Sequence, residues 1–341
     1  MNYVRTKLLR PETIPRLNYQ ALNRRAGVVF IISRQGWLVL NTLTRKSKFR
    51  NFRDSLTQIR NEYSASRLPL DFPQDSLGPI PEIELIVSST QKDFHHLPTI
   101  LKQAVDCSVN HISKITVAVP ANYLDECSLL LQPLQALLNI SIMSEDEILS
   151  LKIRSKLKKA FPARYGWILQ QFLTVQQVLE SNSAGVLQIN SDTYLLREKL
   201  WLKNDGSQIL MESSEFHKPY YELLHRLDSK FPIRSRSHIT HHMLFQPILF
   251  REILNRLGIQ TLEELVDFVC REANTQNESF ACIEFELYAL GLLKYFPNRT
   301  NLVKFGNRSI PSLARPENRF ELIETYKDYY NSISLHSYLS S

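Results

Sequence analysis

The chain of 341 residues lacks the short motifs that mark the commonest nucleotide sites. It contains no G-x-G-x-x-G and no G-x-x-x-x-G-K-[ST], so neither a dinucleotide fingerprint nor a P-loop is present. Cysteine is also sparse: Cys107, Cys127, Cys270 and Cys282 lie far apart and form no C-x-x-C pair. This spacing indicates neither a zinc cluster nor a dense disulfide framework, and it favours a reducing compartment. We therefore expect a cytoplasmic protein.

An uninterrupted apolar run that could span a membrane is missing too, because a spanning helix needs about 20 apolar residues. The best candidate, 27–43, is interrupted by Arg34 and Gln35. Positive charge is concentrated around this run, since residues 1–60 hold thirteen Lys and Arg residues against only Glu12 and Asp54. The rest of the chain is slightly acidic. Such a body does not favour nucleic-acid binding, and we expect no nucleic-acid partner.

The basic N-terminal arm, residues 1–65, has two interpretations. In the first, residues 1–60 contact an anionic membrane, where each basic residue contributes about 1 kcal/mol, and the protein is peripheral at the inner face of that membrane. In the second, the apolar part forms a strand pair or a helix that packs on the main domain. Residues 66–81 are rich in proline and predict a linker after the arm.

After residue 81, short β-rich runs alternate with helical stretches. Strands are predicted at 83–87, 115–119, 140–143 and 186–189, and helices at 94–108, at 129–138 and from Gly166 onward. This alternation predicts βαβ units and an α/β fold with a mainly parallel sheet flanked by helices. Ligands of such sheets gather beyond the carboxyl ends of the strands. The loops 88–92, 120–123 and 144–147 should therefore share one rim with the residues that follow Ile189.

Asp192 lies in one of these rim segments, in the turn Asn190-Ser191-Asp192-Thr193. A carboxylate at a rim where phosphates bind suggests Mg²⁺ or Mn²⁺, since these ions typically use one or two carboxylates together with substrate phosphates. Asn and Asp are also common as turn or cap residues. The local sequence alone leaves both roles open.

Several later segments, in this order along the chain, resemble the DUF6492 family of glycosyltransferase-like proteins. The matching features are Gly166-Trp167 with Gln170-Gln171, the strand that ends at Asp192-Thr193, His217 with Pro219-Tyr220, His241-His242-Met243, and Glu284-Phe285-Glu286-Leu287-Tyr288. The resemblance covers roughly residues 80–300. It implies a GT-A type, Rossmann-like nucleotide-sugar fold over residues 82–310, followed by a C-terminal tail helix at 311–341.

The resemblance also implies roles for particular residues. The nucleotide-sugar donor would be bound by Ser89, Thr90, Asp146, Gln170, Gln171, Asn190 and Asp192, and the acceptor by His217 and Tyr220. A divalent cation, Mn²⁺ or Mg²⁺, would be held by Asp192 and His242. Here the chain departs from the family, because Asn190 stands where the first Asp of an Asp-x-Asp motif is expected. An amide brings no charge to a cation, so we expect a weaker metal site.

Glu284 and Glu286 are the candidates for the base that deprotonates an acceptor in an inverting transfer. On a helix, Glu284 and Tyr288 share a face and Glu286 points elsewhere, so we expect only one glutamate, Glu284, to enter the cleft. Both could instead be charges near a helix N-terminus, where the dipole favours them. A retaining transfer would need no such base.

The expected function is transfer of a sugar from a nucleotide sugar to a cell-surface polysaccharide or a lipid-linked glycan precursor. Because Asn190 replaces an Asp, a second hypothesis is a catalytically silent protein that binds glycan or scaffolds a glycan-assembly complex. A third is a metal-independent transferase in which basic side chains replace the ion. The candidates for that role are Lys156, Lys158, Lys159 and Arg164.

Overall fold

The computed structural model describes residues 28–33, 36–41, 63–71, 78–213, 216–232, 236–275, 284–311 and 319–336. In the arm, strands β1 (Val28–Ser33) and β2 (Gly36–Asn41) pair in antiparallel fashion, which agrees with a strand pair rather than a helix. Residues 1–27, 34–35 and 42–62 of the arm, and with them most of the predicted membrane contact, lie outside the described residues. No described helix is long and apolar enough to cross a membrane.

A five-stranded sheet forms the centre of the domain. Its strands are β3 (Ile83–Ser88), β4 (Ile112–Val119), β5 (Ile140–Ser144), β6 (Val186–Ile189) and β9 (His242–Phe245). The order across the sheet is β5-β4-β3-β6-β9; the first four are parallel and β9 runs antiparallel to β6. The predicted mainly parallel α/β fold is therefore confirmed, and each predicted strand is present within a few residues.

Helices cover both faces of this sheet. They are α1 (Leu97–Asp106), α2 (Leu124–Gln135), α3 (Glu145–Ile148), α4 (Leu151–Ala160), α5 (Tyr165–Glu180), α6 (Lys218–Leu227), α7 (Pro247–Arg256), α8 (Leu262–Thr275), α9 (Phe285–Tyr295) and α10 (Arg319–Tyr326). Alternate strand residues point to opposite faces, so Leu85 and Leu187 pack in one buried cluster and Ile86 and Val186 in the other. Helices α5 and α9 lie on the second face.

Short strands outside the central sheet complete the C-terminal half. Strand β8 (Gln208–Glu212) pairs in parallel with β10 (Thr300–Lys304), and β12 (Ser332–His336) lies between β11 (Asn307–Pro311) and β7 (Thr193–Leu195). In the described part of the predicted tail helix, residues 319–326 are helical, whereas 332–336 form a strand that belongs to the domain. The alternation of buried Ile333 and Leu335 with serines suits a strand against a core.

Part of the predicted linker is bound to the same region. The backbone N–H of Lys304 donates to the carbonyl of Pro69 at 2.8 Å, and the side-chain amide of Asn331 donates to the carbonyl of Leu70 at 3.1 Å. The fully buried Lys199 donates to the same carbonyl at 3.2 Å and to Oδ1 of Asn331 at 3.0 Å. Residues 69–71 therefore do not form a free linker, because buried side chains hold their backbone.

Asn331→Ala tests this anchor. The substitution removes the amide that joins three backbone carbonyls, of Leu70, Lys304 and Phe305, and the oxygen that accepts from the buried ammonium of Lys199. We expect the free energy of unfolding to fall by about 3 kcal/mol, since a buried charge loses a partner. Urea denaturation measures it, with Asn182→Ala at an exposed position as the control. A loss no larger than that of the control would contradict the anchor.

Candidate active site

The rim at the carboxyl ends of the parallel strands begins, on one side, with an acidic helical turn. Ser144 caps α3: its hydroxyl accepts from the backbone of Asp146, and Glu147 accepts from the backbone of Ser144, a capping box. The predicted turn at 145–147 is thus the first turn of a helix. The carboxylate of Asp146 pairs with Arg154 at 2.5 Å and stays half exposed at the rim.

Two carboxylates in the middle of the rim follow neighbouring strands of the sheet. Asp93 lies in the loop after β3, and the hydroxyl of Ser191 donates to its Oδ2 at 3.3 Å. Burial raises the pKa of Asp93, and the negative charge of Asp192 raises it further, while Lys92 opposes the shift. The carboxylate of Asp192 is therefore close enough to Asp93 to act on its ionisation, and Ser191 links the two segments. Of the predicted donor residues in this loop, Thr90 is exposed and Ser89 is buried.

The amide of Asn190 is committed to the protein itself. Its Oδ1 accepts from Nε2 of Gln188 at 2.9 Å and from Nε2 of Gln170 at 3.5 Å, and its Nδ2 lies 3.1 Å from Nδ1 of His241. An amide nitrogen can only donate, so the imidazole nitrogen accepts. The residue that breaks the expected Asp-x-Asp pattern thus joins β6, α5 and the start of β9.

The two adjacent histidines have different environments. His241 adopts a left-handed backbone conformation with φ 57°, and its carbonyl accepts from the backbone of Asn190 at 2.8 Å. His242 is fully buried between the rings of Trp201 and Phe305, with Nε2 3.2 Å from Oγ of Ser332. Burial lowers the pKa of His242 to about 3, with a smaller contribution from Lys199. Of the two adjacent histidines, of which at most one was expected to face the site, His241 lies beside Asn190 and His242 is buried.

Strand β12 supports Asp192 from behind. The backbone N–H of Leu335 donates to the carbonyl of Asp192 at 2.8 Å. The hydroxyl of Thr193, which donates to Oδ1 of Asp192 at 3.2 Å, is 2.9 Å from Oγ of Ser334. Asn307 accepts from both Ser334 and Ser332, and Ser332 contacts His242. A buried hydrogen-bonded chain thus runs from His242 to the carboxylate of Asp192.

One face of α5 connects the rim with an aromatic stack. Trp167, Gln170 and Thr174 recur at helical spacing, so they share a face, and Gln171 beside them is buried. Trp167 stacks on Tyr220 with ring centroids 6.0 Å apart, and Tyr220 meets His217 edge-on at 4.5 Å. The two predicted acceptor residues are thus in contact with each other and with the helix that reaches Asn190.

The four predicted basic side chains have different neighbours. Lys156 pairs with Asp267 of α8 at 2.5 Å. The guanidinium of Arg164 lies 4.1 Å from the ring centroid of Trp167, a cation–π contact at the aromatic stack. Lys158 lies 6.0 Å from the ring centroid of Tyr165, and Lys159 is exposed.

The two candidate bases are both buried but differ in their hydrogen bonds. Oε1 of Glu286 accepts from Tyr221 at 3.0 Å, from the hydroxyl of Ser237 at 2.9 Å and from the backbone of His238 at 2.9 Å. This carboxylate therefore fastens α9 to α6 and to the segment before β9. The Oε2 atoms of both glutamates have no hydrogen-bond partner among the described residues, and the side chain of Glu284 is hydrogen-bonded by Thr174. Burial raises the pKa of Glu284 to about 7, and the Thr174 hydroxyl opposes the shift weakly.

The segments that carry the family resemblance form one connected group. The contacts are Gln170 with Asn190, Asn190 with His241, Trp167 with Tyr220, Tyr221 with Glu286, and Thr174 with Glu284. The motifs are spread from residue 166 to residue 288, so their convergence is a property of the fold. Sequence analysis missed Asp93 and Thr174, although the rim loop at 88–92 ends one residue before Asp93.

The carboxylate pair suits a divalent cation only with help from a substrate. Within the described ranges, no three His, Cys, Asp or Glu side chains gather into a metal site. Two carboxylates leave most of the coordination sphere to other oxygens, which is how Mg²⁺ commonly binds together with phosphates and water. Among the described residues, Asp93 and Asp192 therefore do not form a closed metal site of their own.

No family model and no curated protein sequence matches the chain, so the resemblance to the DUF6492 family stays a prediction.

Solved structures similar to this chain include three sugar transferases. Mouse xyloside xylosyltransferase 1 in its apo form is 10% identical, with 75% of this chain and 98% of that chain covered and a TM-score of 0.43. The mannosyltransferase Ktr4p from S. cerevisiae is 7% identical, with 76% and 80% covered and a TM-score of 0.48. Galactosyltransferase LgtC, with donor and acceptor sugar analogues, is 10% identical, with 74% and 86% covered and a TM-score of 0.41. Likenesses of this size assign the chain neither a family nor an activity.

Glu284→Gln tests the perturbed carboxyl. Between pH 4.5 and about 7, the folded protein keeps a proton on Glu284 that the unfolded chain has released, so this group lowers stability as the pH rises through that window. The glutamine variant cannot titrate. We expect its free energy of unfolding, relative to wild type, to rise by up to roughly 3 kcal/mol across the window and to stay constant outside it.

Urea denaturation at half-unit pH steps from 4 to 8 measures this difference. Glu321→Gln, at an exposed position on α10, serves as the control and should show no such rise. A pH-independent difference between Glu284→Gln and wild type would mean that Glu284 ionises normally.

Proposed function

We propose that the protein is a GT-A type glycosyltransferase that uses a nucleotide-sugar donor. The observation that supports the proposal is the presence of two carboxylates, Asp93 and Asp192, at the carboxyl rim of a mainly parallel sheet. Helix α5, which reaches the same rim, also contacts Glu284, a carboxyl group with a raised pKa. Substrates of open α/β sheets bind at this rim. Membership of the DUF6492 family, suggested by the converging motifs, belongs to the same proposal.

Each group has a defined part in the transfer. Asp93 and Asp192 would hold Mn²⁺ or Mg²⁺, which supplies positive charge to the leaving diphosphate. Glu284 accepts the proton of the acceptor hydroxyl, for which a pKa near 7 is well suited. The bond between the anomeric carbon and the diphosphate oxygen breaks, a bond to the acceptor oxygen forms, and the negative charge leaves with the nucleoside diphosphate. Attack on the face opposite the leaving group inverts the anomeric configuration.

The acceptor side is formed by the aromatic stack. Tyr220 contacts both His217 and Trp167, and sugars are commonly held by aromatic faces next to hydrogen-bonding groups. The acceptor class is a cell-surface polysaccharide or a lipid-linked glycan precursor. The basic arm, residues 1–60, would bring the enzyme to an anionic cytoplasmic membrane face where such precursors are presented.

A thermal-shift screen tests the donor site. UDP, GDP, CMP and their sugar conjugates are each added with Mn²⁺ or with EDTA to wild type, Asp192→Asn and Asp93→Asn. A ligand at about 100 times its dissociation constant stabilises the fold by roughly 2.7 kcal/mol. We expect a shift for one nucleotide class that needs Mn²⁺ and is lost in both variants. Asp328→Asn, at an exposed position, should keep the wild-type shift.

The other outcomes separate the competing functions. No shift with any nucleotide would overturn the donor site and leave the silent glycan-binding or scaffold protein. A nucleotide shift that survives both EDTA and the two aspartate substitutions would indicate a metal-independent transferase. If the nucleotide-induced shift is lost in Asp192→Asn but kept in Asp93→Asn, Asp93 has only a structural role in the rim loop.

A further inference from the structure

The first turn of α5 contains a glycine that no contact within the described residues explains. Gly166 is exposed, and a Cβ built on it would meet no atom within 4 Å outside its own turn. Glycine weakens a helix relative to alanine because it loses more backbone entropy on folding. By contrast, a Cβ at Gly291 of α9 would lie 2.5 Å from the side chain of Ile253, so packing requires glycine there. The surface at Gly166 is therefore left open at a cost to the helix.

Gly166 lies between the rim and the aromatic stack. Strands β5 and β6 point in the same direction, so α5, which leads into β6, runs away from the rim and begins at the rim end. Gln170, whose Nε2 is 3.5 Å from Oδ1 of Asn190, follows Gly166 by four residues, so the two share a helix face about 6 Å apart. Trp167, the next residue, stacks on Tyr220. A molecule that spans from Asn190 to the stack would therefore pass over the backbone of Gly166.

The stack carries a cation two residues before this glycine. The guanidinium of Arg164 lies 4.1 Å from the ring centroid of Trp167, and both residues are partly exposed. A guanidinium that stacks through its face donates hydrogen bonds through its edge, and its five N–H groups can serve more than one partner. Such a group binds a carboxylate or a phosphate with two parallel hydrogen bonds. Arg164 therefore presents an oxyanion-binding edge beside the open surface at Gly166.

The charges in the neighbouring turns largely cancel one another. Two acidic side chains are paired with cations: Asp146 with Arg154, and Glu222 with Lys218. The carboxylate of Glu145 acts on the ionisation of Tyr165, and the ammonium of Lys158, of opposite charge, lies 6.0 Å from the centroid of the same ring. Arg164 then gives the described part of this surface a positive charge. A ligand that carries a negative charge is favoured there over a neutral one.

We propose that Arg164 binds an oxyanion of the acceptor, a phosphate or a carboxylate, while the sugar ring of the acceptor crosses the open surface at Gly166. The proposal rests on the proposed function and narrows its acceptor to an anionic one. The acceptor then extends from the stack at Trp167 to the rim, where Asp93 and Asp192 bind the donor. Arg164 is a specificity-determining residue for the acceptor, and glycine occupies position 166 because a side chain there would stand in the path of the ring.

NMR titrations with three probes test the role of Arg164. Methyl β-glucoside, methyl β-glucuronide and glucose 1-phosphate are titrated by saturation transfer in EDTA, so that the phosphate does not bind through a metal ion at the rim. We expect at least one anionic probe to bind wild type about tenfold more tightly than the neutral glucoside. Arg164→Gln should lose this preference, and Arg164→Lys should keep part of it, because lysine retains the charge but not the planar fork.

Arg271→Gln is the matched control, since Arg271 also stacks on an aromatic ring, that of Phe268 in α8. This variant should keep the whole preference. Preference for glucose 1-phosphate alone would support a phosphate-bearing acceptor, such as a lipid-linked precursor, and preference for the glucuronide alone would support an acidic polysaccharide. Equal binding of all three probes to wild type, or a preference that survives in Arg164→Gln, would overturn the proposal.

Gly166→Ala tests the open surface with two readouts of opposite sign. Alanine fits the helix and the space around it, so the variant should melt about 1–2 °C higher than wild type. Its methyl group stands in the path of the ring, so the anionic probe should bind several-fold more weakly. A lower melting temperature would mean that the fold itself requires glycine, and an unchanged affinity would remove the acceptor from this surface.

The nucleotide screen separates this proposal from the proposed function. Wild type that responds to a nucleotide but does not distinguish charged from neutral probes keeps the transferase function and rejects the anionic acceptor. A weaker nucleotide-induced shift in Arg164→Gln would place Arg164 on the donor side and overturn its acceptor role. Absence of a shift with every nucleotide would reject the proposed function, and the acceptor role of Arg164 with it.

Discussion

The side-chain amide of Asn190 is the interaction on which the candidate site depends. It accepts from Gln188 of its own strand and from Gln170 of α5, and it lies against His241 at the start of β9. A carboxylate accepts but cannot donate, so an Asp at this position could not join the same partners around a neutral imidazole. Asn190 therefore replaces the expected Asp because its amide forms hydrogen bonds that hold neighbouring elements together. The second carboxylate of the rim belongs instead to Asp93, in the turn that follows the neighbouring strand β3.

The C-terminal strand explains how Asp192 is held without a motif around it. Strand β12 is inserted between β11 and β7, so the backbone of Leu335 and the hydroxyl of Ser334 reach Asp192 and Thr193. Behind them lie the neutral His242 and the buried Lys199, whose partners include Asn331 and the backbone of Leu70. Segments more than 250 residues apart in the chain thus converge behind one carboxylate. Such a carboxylate is fixed before any ligand arrives, as a site that stabilises a leaving group requires.

Local patterns predicted the sheet well because strand identity and helix amphipathicity are local properties. The strands at 83–88, 112–119, 140–144 and 186–189 and the helix at 165–180 follow from runs of apolar residues and their spacing. Residues 69–71 and the strand at 332–336 are held by partners distant in sequence. Proline content therefore wrongly predicted a free linker, and polar composition wrongly predicted a tail helix. Asp93 was missed for the same reason: its pairing with Ser191 and Asp192 is set by the β3–β6 register, which the sequence of either strand does not contain.

Glu284 and Glu286 show that burial alone does not identify a reactive carboxylate. The two side chains lie two residues apart at the start of α9 and are both almost fully buried. Glu286 recovers the cost of its burial through donors from Tyr221, Ser237 and His238, so its oxygen is committed to holding elements together. Few donors offset the cost of burying the carboxylate of Glu284, so its pKa rises to about 7. A buried carboxyl group that few donors stabilise, and whose pKa is raised, retains the capacity to exchange a proton with a substrate, whereas a carboxylate held by three donors has a structural role.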